Sequence, residues 1–466
     1  MTDKVKLSMN SIRSSLFFLA LFTIVTSSFS KEPAAIPAKT SPQIVEVTRE
    51  ISPKNIEATI NKLVSFGTRH TLSDATSDTR GIGAARRWIQ SEFERYSKEC
   101  GGRLEVTMDE FTQPPGQRNP EPVQVVNVVA TLPGSQLESR DRIYVVTGHY
   151  DSRVTDPLNA TADAPGANDD ASGTAAVLEM ARVMSKRQWD ATLVFIAVAG
   201  EEQGLFGSTH WAQMAKAKGW NVAGMITNDI IGSSHADDGH VDKTHVRLFA
   251  EGVSPLREVS GETRTMLQTG GENDSGAREL ARFIKTVAEK DVPGMTVDIV
   301  YRRDRYLRGG DHSPFLDAGF PAVRMTEPNE DFRHQHQDLR TENGVKFGDL
   351  AEFCDFDYIA QVARVNAAAL GTLALAPAAP KEVKVETKEL TNDTTLTWTA
   401  NTEPDIAGYQ VVWRETTAPL WQQSASAGNV TRFTIPKVSK DNYLFGVCAV
   451  DKDGNVSPAV YPAPLR

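Results

Sequence analysis

The chain has 466 residues, more than one ordinary domain holds, so two or three domains are expected. A hydrophobic content of 40% with 24% charged residues is that of a globular protein. A net charge of −10 without a dense Lys/Arg stripe argues against nucleic acid as a partner.

In chain order, Lys4, Lys6 and Arg13 precede an apolar run over residues 16–25, and Ser28 and Ser30 offer small residues for cleavage before Lys31. Residues 1–30 therefore read as a signal peptide, and the protein as secreted or periplasmic. The run is too short for a comfortable transmembrane helix, so no stable membrane span is expected. Residues 31–44, rich in Pro, Ala and Lys, read as a linker or short pro-segment. Cys100, Cys354 and Cys448 are widely separated and form no metal-binding pair; a Cys100–Cys354 disulfide and buried unpaired thiols both remain open.

From residue 45 to 376 helix and strand signals alternate. Ile82, Ala85, Trp88, Ile89 and Phe93 recur at helical spacing within residues 81–100. Residues 123–132 and 142–148 are Val/Ile-rich strands, 173–186 a helix, 192–199 a buried strand, 209–218 a helix, and 355–373 a closing helix. This alternation predicts an α/β domain with a mixed, largely parallel sheet flanked by helices. A Pro/Ala hinge at residues 376–380 marks the next boundary, after which short strands over 395–398, 408–414, 432–435 and 443–450 predict an all-β sandwich. Trp398, "DIAGYQVVWR" and "YLFGVCAVDKDGNVS" resemble a fibronectin type III module, which would occupy residues 381–466. Such modules often serve contact with a surface or polymer.

Four motifs in the first domain carry chemistry. In "VVTGHYDSR", His149 and Asp151 stand at i and i+2 of an extended chain and so face one space, where Asp151 can hold the second ring nitrogen of His149. In "PGANDDASGTAAV", Asp169 and Asp170 lie in a turn before an apolar helix, a position equally suited to a helix cap and to a metal-binding carboxylate. In "VFIAVAGEEQGLFGS", a buried strand runs straight into Glu201 and Glu202, which is costly unless those carboxylates have partners or a function. In "RGGDHSPFLDAGFPAV", His312 follows a Gly-Gly turn. Singly, the first, second and fourth are weak, because chance pairs, caps and structural histidines are common.

In this order the four motifs, with "NVVATLPG" before the first, resemble the co-catalytic zinc aminopeptidase family of bacterial leucyl-type enzymes, over about residues 65–373. The resemblance implies a zinc exopeptidase holding two zinc ions. His149 and Asp229 (in "ITNDIIG") would bind one, Glu202 and His312 the other; Asp169 would bridge them in a cis peptide with Asp170, and Glu201 would be the general base, with Asp151 orienting His149. Three ligand carboxylates against two Zn²⁺ leave one positive charge, which a bridging hydroxide cancels. The expected reaction is removal of N-terminal residues from peptide substrates. Glutaminyl cyclases and carboxypeptidases share the fold, and a non-catalytic binding protein is a third alternative. His334, His336 and Tyr306 are further candidates near the site, one of the histidines as a transition-state stabiliser. The basic run Arg302, Arg303, Arg305 and Arg308, in a segment read as inserted over residues 232–308, is either a solvated face or a clamp for a substrate carboxylate. No GxSxG element supports a serine hydrolase.

Overall fold

The computed structural model describes residues 40–254 and 260–465. The expected signal peptide and residues 31–39 of the expected linker lie outside the described residues. Residues 42–44 of that linker are instead helical: α1 (Pro42–Glu50) starts at a proline, whose fixed φ suits a first helical turn. No described helix is long and apolar enough to cross a membrane.

The elements that follow are α2 (Pro53–Val64), α3 (Gly81–Glu99), β1 (Glu105–Gln113), β2 (Val123–Leu132), β3 (Arg142–His149), α4 (Ala171–Met184), β4 (Thr192–Val198), α5 (Glu201–Gly204), α6 (Phe206–Ala217), β5 (Asn221–Asn228), β6 (His245–Ala250), α7 (Gly261–Gln268), α8 (Gly276–Asp291), β7 (Thr296–Val300), α9 (His312–Ala318), β8 (Ala322–Thr326), a ribbon of β9 (Arg340–Glu342) and β10 (Val345–Phe347), and α10 (Phe356–Leu375). Eight strands form one sheet in the order β1-β2-β4-β3-β5-β8-β6-β7. It is mixed and mostly parallel: β4-β3-β5-β8 and β6-β7 run parallel, while β1-β2, β2-β4 and β8-β6 are antiparallel. The segment read as an insertion supplies β6, β7 and α8 and thus completes the sheet.

Every residue of β4 is buried, as expected of a central strand covered on both faces. α4 is buried almost throughout because its Ala, Val, Leu and Met residues sit between the sheet and α10. α6 and α9 pack on each other and against β2, β5 and β8. The C-terminal ends of β3, β4, β5 and β8 therefore meet at one edge of the sheet, where α/β folds place their ligand sites.

Beyond α10 the chain forms β11 (Lys381–Glu386), β12 (Thr394–Thr399), β13 (Ile406–Glu415), β14 (Gln423–Gly428), β15 (Arg432–Ile435), β16 (Tyr443–Asp451) and β17 (Ala463–Leu465). These make two sheets, β15-β12-β11-β17 and β14-β13-β16, around a shared core of Leu396, Trp398, Tyr409, Val411, Trp413 and Phe445. The linking residues 376–380 do not act as a free hinge. Arg142 donates to the Ala376 carbonyl at 2.6 Å, and the Ala378 N–H donates to Glu403 at 2.6 Å. Buried ion pairs add to the junction: Arg414 of β13 grips both oxygens of Asp274, at 2.8 and 2.9 Å, and Trp421 donates to Glu279 of α8 at 3.0 Å. All three cysteines are free.

Candidate metal centre

The ends of the parallel strands deliver the polar residues. β3 ends on His149; β4 is followed by Ala199 and Gly200, whose φ of +74° turns the chain so that α5 starts on Glu201 and Glu202; β5 leads into Asp229. Asp169 stands just ahead of α4, and its peptide bond with Asp170 is cis. α4 reaches this edge because Gly173 has no side chain: a Cβ there would lie 2.2 Å from the Asn228 carbonyl oxygen.

Asp170 is the cap of α4, and it does more than cap. Its carboxylate accepts the N–H groups of Gly173 at 3.0 Å, His149 at 2.9 Å and Ile230 at 3.3 Å, tying β3, α4 and the chain after β5 together. Asp151 lies beside His149 Nδ1 at 3.5 Å and also accepts from the N–H groups of Glu201 (3.3 Å) and Glu202 (3.1 Å) and from the Thr71 hydroxyl (3.0 Å). Burial works against a charged Asp151, but His149 and these donors hold its carboxyl below the usual range.

The donors form two groups, His149, Glu201 and Asp229 in one and Asp169, Glu202 and His336 in the other. Asp169 faces both: its Oδ1 is 3.1 Å from His149 Nε2, and its Oδ2 is 2.8 Å from His336 Nε2. Glu202 Oε1 lies 3.0 Å from the same His336 nitrogen. Of the five ligands expected from the sequence, His149, Asp169, Glu202 and Asp229 are thus brought together.

His312 is not. It is buried at the start of α9 with Nε2 turned to the Arg303 carbonyl at 2.8 Å and to Asp304 at 3.6 Å. The Gly309-Gly310 turn brings Gly310 and Asp311, rather than His312, toward Asp229: a Cβ on Gly310 would lie 3.0 Å from Asp229 Oδ2. His336, which the sequence offered only as a possible transition-state stabiliser, stands in the second donor group instead. Its neighbour Gln335 donates to Asp169 Oδ2 at 3.1 Å, and His334 stacks on Phe353 and belongs to neither donor group.

Two arginines that went unremarked in the sequence brace the carboxylates. Arg153 Nε donates to Glu202 Oε2 at 2.8 Å, and Arg324 of β8 lies 2.9 Å from Asp229 and 3.1 Å from Asp304. The place of Arg153 at the end of the first motif was the available signal; Arg324 directly follows the fourth motif, but nothing local shows that it meets Asp229, almost a hundred residues earlier. Three of the four arginines at 302–308 are engaged with acids, while Arg302 donates to the Asp304 carbonyl at 2.8 Å. Arg303 pairs with Glu251 and Asp317, and Arg305 and Arg308 pair with Glu330. Tyr306 is 83% exposed and belongs to neither donor group.

This edge is short of positive charge. Burial pushes Asp229 up to about 6 despite Arg324 and His149, and Asp311 up to about 7. Burial, with Asp229, Glu202 and Asp311 nearby, also raises Glu201 well above the usual carboxylate range, although it keeps some solvent exposure. Buried His149 Nε2 and Glu202 Oε1 have no hydrogen-bond partner of acceptable geometry. Buried polar atoms of this kind normally find a partner. An N/O donor set of crowded carboxylates and imidazoles, with two buried polar atoms left without a hydrogen bond, fits zinc.

Residues 127–346 match the model of Peptidase family M28. A probable zinc metalloprotease of Leptosphaeria maculans is 54% identical over 422 residues, covering 91% of this chain and 97% of its own. The chain belongs to peptidase family M28. This M28 chain is also 53% identical over 430 residues to a probable zinc metalloprotease of Pyrenophora teres f. teres, covering 92% of this chain and 88% of the relative. It is a zinc metallopeptidase and its substrates are peptides. Its fold is shared, at 16% identity, with an aminopeptidase from Aneurinibacillus sp. strain AM-1 (TM-score 0.50, covering 71% of this chain and 96% of that one). The fold is also that of a Macrostomum lignano glutaminyl cyclase (TM-score 0.51, 16% identity, 75% and 98%). At this distance the M28 fold is shared but the reaction is not thereby chosen.

Proposed function

We propose that the chain is an aminopeptidase that holds two zinc ions and removes N-terminal residues from peptides after export from the cell. The observation that carries the reading is the placement of Asp169, with one oxygen toward His149 and the other toward His336. His149 and Asp229 would hold one ion, Glu202 and His336 the other, and Asp169 both. Zinc, when bound, supplies Lewis acidity toward the scissile carbonyl and acidifies water. Export rests on the basic, apolar and small-residue pattern of residues 1–30, and the two C-terminal sheets support a fibronectin type III-like module.

Glu201 is assigned to proton transfer rather than to metal binding. It stands beside the donors, keeps some exposure, and has a carboxyl that burial and neighbouring acids hold toward neutrality, which suits a group that takes a proton from water and returns it to the leaving amine. Asp151 anchors the backbone at Glu201 and Glu202 while steadying His149, so one buried carboxylate aligns base and ligand together. Carboxypeptidase action calls for a cationic clamp; of the four candidate arginines, 303, 305 and 308 are paired with acids and Arg302 donates to the Asp304 carbonyl at 2.8 Å.

The test compares peptides with a free N-terminus, the same peptides N-acetylated, and N-terminal glutaminyl peptides, with products read by mass. Loss of a whole N-terminal residue from the free peptide alone is expected. Loss of ammonia alone from the glutaminyl peptide, or release from the C-terminal end of the acetylated one, would overturn the reading.

A further inference from the structure

Arg69 lies outside every motif considered so far and upstream of the segment matched by the family model. Its side chain is completely buried. Buried arginines are normally paired with a carboxylate. Among the described residues, no carboxylate forms an ion pair with this one. Its fork serves three carbonyls instead: Nε donates to Tyr150 at 2.6 Å, and the two terminal nitrogens donate to Pro165 at 2.5 Å and Gly166 at 2.8 Å.

These carbonyls belong to the two loops that carry the metal donors. Tyr150 sits between His149 and Asp151, and Pro165 and Gly166 lead into Asp169. The backbone around Arg69 repeats the link. Its own N–H donates to the Ser152 hydroxyl at 3.1 Å, that hydroxyl donates to the Ala164 carbonyl at 2.7 Å, and Thr71 holds Asp151 at 3.0 Å. Gly166 has φ +51°, and a Cβ there would lie 2.5 Å from Ser152 Cβ, 2.6 Å from the Asp169 carbonyl oxygen and 2.9 Å from the Arg69 guanidinium, so the two loops and the arginine meet with no room for a side chain. Only a planar fork can meet three carbonyls in this way; a lysine is a single charged point.

Resting on the two-zinc reading above, we infer that Arg69 is a positioning residue that sets the spacing between the His149 loop and the Asp169 loop, and so the affinity of the site for its metals. It touches neither substrate nor metal. Its charge also opposes the surplus of carboxylates behind the site, since Asp349, Asp151, Asp170 and Asp169 all act on it. Charge and fork make separable contributions, which gives the test its two variants.

The experiment uses the full-length protein, stripped of metal and titrated with Zn²⁺ against a chromophoric chelator. Arg69→Lys and Arg69→Met are compared with Phe93→Leu, a substitution in the buried core of α3 that lowers stability without touching the site. Binding of Co²⁺ is followed by its visible absorption as a reporter of ligand geometry. Wild type is expected to take up two ions. Arg69→Lys should bind the weaker ion ten- to a hundredfold less tightly, the range seen when groups supporting metal ligands are removed, with an altered Co²⁺ spectrum. Arg69→Met should lose more, and kcat should fall more than KM rises. Phe93→Leu should melt earlier with wild-type affinity and spectrum. Two ions bound with unchanged affinity and spectrum in both Arg69 variants would overturn the inference while leaving the two-zinc reading intact. Failure of both variants to fold would likewise overturn it and assign Arg69 to folding. Fewer than two ions on wild type would sink the two-zinc reading itself, and this inference with it.

Discussion

Replacing His336 by alanine removes one of three donors from a group whose other members, Asp169 and Glu202, lie 2.8 and 3.0 Å from its Nε2. Loss of a group that merely supports a metal ligand costs roughly 10–100-fold in affinity, so loss of a ligand should exceed about 100-fold, or about 2.7 kcal/mol. The change also deprives Arg153 of the ring nitrogen it meets at 2.6 Å, leaving that arginine to Glu202 and the Val154 and Thr155 carbonyls. His312→Gln is the matched control. It gives up one hydrogen bond to the Arg303 carbonyl, about 1 kcal/mol of stability, and touches no donor. Metal content by elemental analysis and chelator competition on the stripped protein should therefore show the loss for His336→Ala, and an affinity within about threefold of wild type for His312→Gln. The reverse pattern, with His312→Gln losing an ion and His336→Ala keeping both, would refute the reasoning and restore the ligand expected from the motif.

Glu201→Gln should lose at least 100-fold in turnover, on the order of the general-base contribution, while keeping its metals; Glu202→Gln should lose metal as well, and exchanged phenotypes would move the base by one residue. Truncation after Pro380 should destabilise the peptidase domain, contrary to what a detachable module would do, because it removes Arg414 from Asp274, Trp421 from Glu279 and the Pro419 carbonyl from Arg282. Arg414→Met alone should cost about 3 kcal/mol in urea unfolding, since it leaves Asp274 with only Arg282. Glu279 at the same junction is pushed up to about 7 by burial, against the pull of Arg282. A raised carboxyl favours the fold when protonated, so its contribution is full below about 4.5 and is lost as pH rises through about 7. Thermal unfolding from pH 5 to 8 should show that loss, and Glu279→Gln should flatten it.

Much of this molecule was legible in its residues. Apolar periodicity located β4, α3 and α10 to within two residues, because burial on both faces of a central strand, or along one stripe of a helix, leaves a pattern in local sequence. The edge strand β1, with alternating half-exposed residues EVTMDEFTQ, and the short strands β14 and β17 were not read, since partial exposure blurs that pattern. The same limit explains the segment taken for an insertion: β6 and β7 acquire meaning only through pairing with β8, which follows them in the chain.

At the site, residues that follow a strand directly were predictable. A strand end points its next side chains at the sheet edge, and His149, Glu201, Glu202 and Asp229 all stand there. What sequence could not decide was which of two histidine-bearing loops turns inward. A Gly-Gly turn permits either direction, and the outcome was set by Asp304 and the Arg303 carbonyl, which hold His312 back, while the 331–338 loop carries His336 to Glu202 and Asp169. Arg69 and Arg324 were invisible for the same reason: a buried arginine is defined by carbonyls and carboxylates drawn from distant parts of the chain. The sequence by itself determined the central strands, several of the helices and the chemistry of the donors; only the tertiary structure decided how the sheet is completed and which donors converge, because both depend on contacts between distant segments and no local pattern encodes them.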